Sequence, residues 1–312
     1  MSCGTPIIPG CGGDPPVTLP VSRAPAPGSR YNLNSRMAAC PNHRAPSGPN
    51  TGAAVKVRFP GMESKVVLIT GASEGIGAAC AGQLRKKGAK LSLTALPGPG
   101  FQDHSDGQEL VSAGDITDDG FRRALVRKTL DRFGRVDVLI NAVGVGLYAP
   151  PSTVDVELSK RLFDINVFAP LALTQLIIPG MRARGSGTIV NLGSVGGRVS
   201  LPWSVMYCAT KFAVHAVNDS LRRELSGSGI RVVKVCPGIV DTKFREHVLA
   251  GKAPEPVSRI SRVVSAERVA RAIVSGIESG ARTVYVPAIA RAFVALEALS
   301  STTMDWYVRR QW

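Results

Sequence analysis

Lys65-Val66-Val67-Leu68-Ile69-Thr70-Gly71-Ala72-Ser73-Glu74-Gly75-Ile76-Gly77 is the stretch whose reading decides the fold. Residues 65–70 are an apolar run of strand length. Residues 75–87 read as a helix that stops at Gly88, a residue suited to the left-handed position after a helix end. Between them, Gly71, Gly75 and Gly77 occupy the turn. Glycine reaches positive φ and lets backbone approach a ligand closely. The helix behind it offers free N–H groups and its positive dipole end to an anion. A glycine-rich turn alone could be an ordinary tight connection. With a strand before and a helix after, it predicts a dinucleotide phosphate cradle.

The same alternation continues outward. Further strands are predicted over 90–95, 110–113, 136–141, 188–192, 231–236 and 283–286, with helices over 118–133, 206–226 and 266–280. A long helical stretch is expected over 153–184, interrupted by Pro170 and Pro179. Repeated βα units with apolar strands predict an α/β fold: a Rossmann-like doubly wound parallel sheet of about seven strands in a single domain over 62–287. Residues 96–107 hold two prolines and three glycines, so no helix is expected there.

A second pattern carries chemistry. Tyr207-Cys208-Ala209-Thr210-Lys211 follows Ser194 by thirteen residues. Residues four apart share a helix face, so the Lys211 ammonium can stand near the Tyr207 phenol. A neighbouring cation favours phenolate, and a lowered pKa is therefore expected for Tyr207. Such a phenol can give a proton to a carbonyl oxygen or take one from an alcohol. Ser194, at a strand end, can hydrogen-bond the same oxygen. Alone, the pair could be a routine amphipathic helix contact. Following a cofactor cradle, it predicts an acid–base site.

These motifs resemble those of the classical short-chain dehydrogenase/reductase (SDR) family. The resemblance rests on Thr70-Gly71-x-x-x-Gly75-x-Gly77, Asp115-Ile116, Asn141-Ala142-Val143-Gly144, Asn166, Ser194, Tyr207 with Lys211, and Pro237-Gly238-Ile239-Val240-Asp241-Thr242, and spans 63–287. It implies catalytic residues Asn166, Ser194, Tyr207 and Lys211, with Asn166 holding a water that extends a proton relay to Lys211. It implies a cofactor site of Thr70, Gly71, Ser73, Gly75, Ile76, Gly77, Asp115, Ile116, Asn141, Gly144, Tyr207, Lys211, Pro237, Gly238, Val240 and Thr242. Within that set Asp115 and Ile116 border the adenine, and Asn141 stabilises the central strand. Gly144 leaves room for the cofactor, Lys211 binds the nicotinamide ribose, and Thr242 touches the carboxamide. The family's Asn-Asn-Ala-Gly run is altered here at Ala142 and Val143.

The activity implied is NAD(P)(H)-dependent interconversion of a carbonyl and an alcohol. A carboxylate ending the second strand would bind the ribose hydroxyls of NAD and repel a 2′-phosphate. Ala95 and Leu96 stand there instead. Glu74 is unfavourable for the extra phosphate, but the missing strand-end carboxylate and the basic chain tilt the expectation to NADP(H) over NAD(H). The segments 195–203 and 243–265, which in the family line and cover the cleft, are mostly apolar. They predict a small hydrophobic ketone, aldehyde or alcohol as substrate. Association as a homodimer or homotetramer through 153–184 and 206–226 is implied by the resemblance alone. A non-catalytic redox-sensing regulator on the same fold, and a peripheral membrane or scaffolding protein, are the competing functions.

Composition narrows the field. The 312 residues are 44% hydrophobic. No run of eighteen apolar residues appears, so no membrane-spanning helix is expected; 167–181 comes nearest. The net charge is +15, of which residues 1–61 carry +5 and the remainder +10. The basic residues are scattered rather than blocked, so no nucleic-acid partner is expected. Six cysteines (Cys3, Cys11, Cys40, Cys80, Cys208 and Cys236) form no Cys-x-x-Cys and no zinc pattern. No metal is expected, the thiols read as reduced, and the location as cytoplasmic. Cys208 lacks a paired His and reads as packing. His215, one turn beyond Lys211, reads as a partly buried helix histidine, and His104 and His247 have no organised partners.

Residues 1–61 hold 11 of the 22 prolines and show no sustained period, so a disordered extension is expected. Met62 stands as an alternative start, which would make 1–61 a start-site artefact; a functional tail is the competing reading. Residues 288–312 form an apolar and aromatic helical segment. It is expected over the cleft or in a dimer contact, with a peripheral membrane contact as the alternative.

Overall fold

The computed structural model describes residues 61–252 and 263–311. The expectations for the extension before Gly61, for part of the cleft-covering segment and for Trp312 lie outside the described residues.

An eight-stranded sheet forms the centre. Its strands are β1 (Val66–Thr70), β2 (Lys90–Ala95), β3 (His104–Ser105), β4 (Glu109–Ala113), β5 (Val138–Asn141), β6 (Gly187–Leu192), β7 (Ile230–Pro237) and, after the short pair β8 (Val240–Asp241) and β9 (Val264–Ser265), β10 (Thr283–Val286). The order is β10-β7-β6-β5-β1-β2-β4-β3, and β8 pairs with β9 separately. Seven strands run parallel, as expected. The eighth, β3, pairs antiparallel with β4 through His104–Val111 and Ser105–Leu110. It fills the region where no helix was expected. Asp106 closes the turn, its Oδ1 accepting from Gln108 N at 2.8 Å and Glu109 N at 2.7 Å.

Strand alternation builds two apolar layers. Val67 and Ile69 of β1 and Val138 and Ile140 of β5 point to a core shared with α1 (Gly75–Arg85) and α6 (Ala266–Ser279). Leu68 and Leu139 point the other way, against α2 (Asp119–Phe133) and α4 (Ala169–Ala183). Helices on both faces make the strands near-continuously hydrophobic, as parallel sheets require. Helix ends follow local chemistry. The Asp118 carboxylate accepts from Phe121 N at the start of α2, and Gly134 closes it at φ 74.

The prolines do not interrupt the long helical stretch. α3 (Val156–Phe163) passes into a π-helical turn over Asp164–Phe168 and directly into α4. Pro170 stands two residues past the π-helical turn, and Pro179 is carried within α4. The resulting 28-residue stretch Val156–Ala183 is long and apolar enough, by length and composition, to cross a membrane, contrary to the sequence expectation. Its Leu162, Leu173, Ile177 and Met181 are buried in the domain core. α5 (Val205–Glu224) carries Tyr207 and Lys211, and α7 (Ala290–Leu299) and α8 (Ser301–Gln311) end the described chain.

The strand order reverses between β1 and β5. Connections there leave in opposite directions and open a crevice at the carboxyl ends of the strands, where α/β sheets bind ligands.

Candidate active site

The glycine turn sits at that crevice. Gly71 and Gly75 hold φ of 66° and 56°. Gly77 needs its missing side chain for another reason: a Cβ there would lie 2.0 Å from Gly71 O. Thr70 pins the turn to the neighbouring strand, its Oγ1 accepting from Ala142 N at 3.0 Å and Val143 N at 3.3 Å. α1 has no acid in its first turn and no side-chain cap on its N-terminal N–H groups. Its positive end is therefore available to an anion.

Tyr207 and Lys211 face the site from one side of α5. Lys211 Nζ lies 5.8 Å from the Tyr207 ring centroid and donates to Leu192 O at 3.0 Å. Ser194, extended at the end of β6, accepts from Gly196 N at 3.0 Å and begins a 3-10 turn. Gly196 and Gly197 let that turn pack on α5; a Cβ on Gly197 would come 2.6 Å from Lys211 O. Asn166 lies in the π-helical turn. Gly144 brings these elements together, since a Cβ there would stand 3.4 Å from both Asn166 Oδ1 and Lys211 Nζ. The structure thus gathers Gly144, Asn166, Ser194, Tyr207 and Lys211 at one crevice.

The electrostatics correct one expectation. Burial pushes the Tyr207 phenol above its ordinary value, with the nearby Tyr148 adding to the rise, while a hydrogen bond from Ser194 opposes it. Burial also lowers the Lys211 ammonium, to about 8, and Lys211 Nζ is held by the Leu192 carbonyl. Desolvation is the largest influence on the phenol.

Other expected residues take outer places. Asn141 is buried, and its Nδ2 donates to Asn191 Oδ1 at 2.7 Å, so its side chain braces β5 against β6. Asp115 uses its Oδ1 to accept from Thr117 N and Oγ1, both at 2.8 Å, while Ile116 is buried beneath. Pro237 ends β7, and Gly238 N donates to Val286 O at 2.8 Å. Val240 joins β8, and the Thr242 side chain lies against the glycine turn, 3.3 Å from where a Gly75 Cβ would be. Ser73 and Ile76 belong to that turn and the first turn of α1.

Two arrangements were not read from the sequence. Tyr148, on the loop leaving β5, has its ring centroid 6.0 Å from that of Tyr207, and that of Phe244 lies 5.8 Å from it. Position offered a signal, since Tyr148 leaves the sheet on its carboxyl edge. His247 was expected to have no organised partner. Its Nδ1 meets Glu74 Oε1 at 2.7 Å, tying the segment after β8 to the glycine turn. His215, expected to be partly buried, is fully buried, its imidazole lowered to about 3 by burial and by Lys234. Among the described residues no group of His, Cys, Asp and Glu could hold a metal ion.

Comparison with known proteins agrees with this geometry. Residues 65–253 match the family model described as short chain dehydrogenase. An uncharacterized oxidoreductase of Staphylococcus saprophyticus is 35% identical over 58% of this chain and 80% of its own. Dehydrogenase/reductase SDR family member 7B of Danio rerio is 34% identical over 62% of this chain and 67% of its own. A short-chain dehydrogenase from Streptomyces avermitilis superposes with a TM-score of 0.66 at 26% identity, covering 78% of this chain and 96% of that one. Another, from Burkholderia cenocepacia in complex with NADP, does so at 0.67 and 24%, covering 79% and 98%, and shows the fold. With a sheet that reverses at the glycine turn and a family match over most of the domain, the chain belongs to the short chain dehydrogenase family and is an oxidoreductase of the dehydrogenase/reductase kind.

Proposed function

We propose that the protein reduces a small hydrophobic carbonyl to an alcohol, and runs the reverse reaction, with NADP(H) favoured over NAD(H). The observation that carries this reading is the convergence of Ser194, Tyr207, Lys211 and Asn166 beside Gly144, at the crevice that also holds the glycine turn.

The cradle fits a dinucleotide: Gly71, Gly75 and Gly77 leave a surface that side chains would fill, and the uncapped start of α1 suits a pyrophosphate. The residues holding the cofactor would be that turn, Gly144, Lys211 and the 237–242 segment. A bound nicotinamide supplies or accepts hydride at the substrate carbon. The Tyr207 hydroxyl gives its proton to the carbonyl oxygen, and Ser194 holds that oxygen by a hydrogen bond. The protonated phenol is the form that donates in the reduction direction, and the hydrogen bond from Ser194 opposes the rise that burial imposes on it. Lys211 stands within reach of the Tyr207 ring to stabilise the phenolate left behind. Asn166 positions the loop carrying Gly144 and the route by which the proton is restored. Ala95 and Leu96 leave a 2′-phosphate unopposed at the end of β2, while Glu74 is already engaged by His247.

Tyr207→Phe tests the reading against the redox-sensing alternative. Turnover should fall by about 100-fold or more, with cofactor affinity nearly unchanged. Unchanged turnover would remove the mechanism. A cytoplasmic location accords with the free cysteines Cys80, Cys208 and Cys236. Self-association accords with exposed Val156, Phe168, Val205 and Phe212 on the long helices. The exposed Leu299 and Trp306 leave a peripheral membrane contact through the C-terminal helices as a second use of that segment.

A further inference from the structure

We propose that Tyr148 is a specificity-determining residue, and that with Phe244 it selects flat, ring-bearing carbonyls and alcohols over flexible aliphatic chains; this rests on the oxidoreductase reading above. The two rings flank Tyr207 at centroid distances of 6.0 Å and 5.8 Å, tilted by 39° and 59°. A carbonyl oxygen that reaches the Tyr207 hydroxyl brings its substituents along these two rings.

The Tyr148 backbone is held by the neighbouring segment, and its ring lies over Gly146. Tyr148 N donates to Ala250 O at 3.1 Å, and Leu249 N donates to Gly146 O at 2.9 Å, so the loop after β5 pairs with the segment after β8. Two glycines make the fit possible. A Cβ on Gly146 would stand 2.6 Å from Tyr148 Cε2, and one on Gly251, at φ 76°, would stand 1.8 Å from Tyr148 O. Ala149 N donates to Trp203 O at 2.9 Å and anchors the loop beyond. Burial also pushes the Tyr148 phenol up to about 12, so the wall stays neutral at working pH.

An aromatic wall and an aliphatic one reward different ligands. Any apolar substituent gains from leaving water, in proportion to area. A planar ring gains in addition from offset or edge-to-face contact with aromatic faces. A flexible chain gains no such contact and loses rotamer freedom on binding. The site is thus shaped for an aryl or fused-ring ketone.

The test uses the full chain with NADPH and two eight-carbon ketones, acetophenone and 2-octanone, comparing kcat/KM. The wild type should prefer acetophenone by about three- to tenfold, the worth of one good aromatic pair. Tyr148→Leu should erase the preference by raising KM for acetophenone, while Tyr148→Phe, which keeps the ring, retains it. Phe244→Leu gives a second reading should Tyr148→Leu fail to fold, and NADPH titration checks that each variant binds cofactor. A wild type that uses 2-octanone equally well or better, or neither ketone, overturns the proposal, as does a Tyr148→Leu that lowers both ketones alike. Loss of selectivity with turnover still abolished by Tyr207→Phe leaves the oxidoreductase reading standing. Turnover that survives Tyr207→Phe sinks that reading itself.

Discussion

Asn166 and Val145 exchange a reciprocal pair of hydrogen bonds. Asn166 Oδ1 accepts from Val145 N at 2.9 Å, and its Nδ2 donates to Val145 O at 3.0 Å. The same Nδ2 donates to Thr210 Oγ1 at 3.1 Å, and Thr210 donates on to Tyr207 O at 2.7 Å. One buried amide thus joins the loop after β5, the π-helical turn and the helix that carries Tyr207. Asn166 lies within the π-helical turn, an irregularity of the kind frequent at functional sites.

Asn166→Leu therefore strands the polar backbone of Val145 and removes the tie to α5. Denaturant unfolding should show a loss of about 1–3 kcal/mol. Steady-state turnover should fall by at least about tenfold, because Tyr207 loses its alignment. A variant as stable and active as the wild type would show that the amide is dispensable.

Gly77→Ala tests the cradle. The added methyl would lie 2.0 Å from Gly71 O, an approach that only a backbone shift relieves. Overpacking of this sort costs about 1–3 kcal/mol. NADPH affinity, followed by fluorescence titration, should weaken by about tenfold or more. Unaltered affinity would mean that the phosphates bind elsewhere.

The buried Lys211 ammonium makes stability depend on pH. Its folded value of about 8 lies below its ordinary 10.5. Below about pH 8 both states hold the proton and the cost of burying the charge is present in full. As pH rises from about 8 toward 10.5 the folded state alone releases its proton, and that cost declines, by up to about 3 kcal/mol. Lys211→Met should accordingly be more stable than the wild type at pH 7, with the gap closing between pH 8 and 10. Urea midpoints across that range measure it. A constant gap would contradict the burial of a charged Lys211.

Asp219 holds three cations: Arg222 Nη1 at 2.7 Å, Lys234 Nζ at 3.0 Å and Arg198 Nη2 at 3.3 Å. Burial raises its carboxyl, but the hydrogen bonds from Arg222 and Lys234 win and bring it down to about 2 from 3.8. Its contribution is present above about pH 3.8 and is lost as pH falls toward 2. Asp219→Asn should cost about 2–4 kcal/mol at pH 7, since the side chain of Lys234 is only 3% exposed. The deficit should shrink in acid, and Lys234→Met in the same background should recover part of it. A deficit that persists unchanged at pH 2 would place the loss in packing rather than charge.

Much of this was legible in the chain itself. Thr70 to Gly77 specified a strand, a turn and a helix because each is a local pattern. The seven parallel strands were visible as apolar runs for the same reason. The interruption expected at Pro170 is absent and a π-helical turn stands just before it, since such a turn is set by what surrounds Asn166 and leaves no periodic mark. β3 escaped notice because two residues are too few to show alternation. Tyr148 was missed, and its importance depends on Phe244 and Tyr207, which are distant in sequence.

Residue order alone determined the glycine turn, the alternation of strands and helices, and the one-turn spacing of Tyr207 and Lys211. Those properties follow from backbone sterics and periodicity over a few residues. Tertiary structure decided that the Tyr207 phenol is raised rather than lowered, that Glu74 meets His247, and that Tyr148 and Phe244 lie beside the Tyr207 ring. Desolvation and side-chain contact are set by whatever the folded chain packs around a group, and no local run of sequence contains that surrounding.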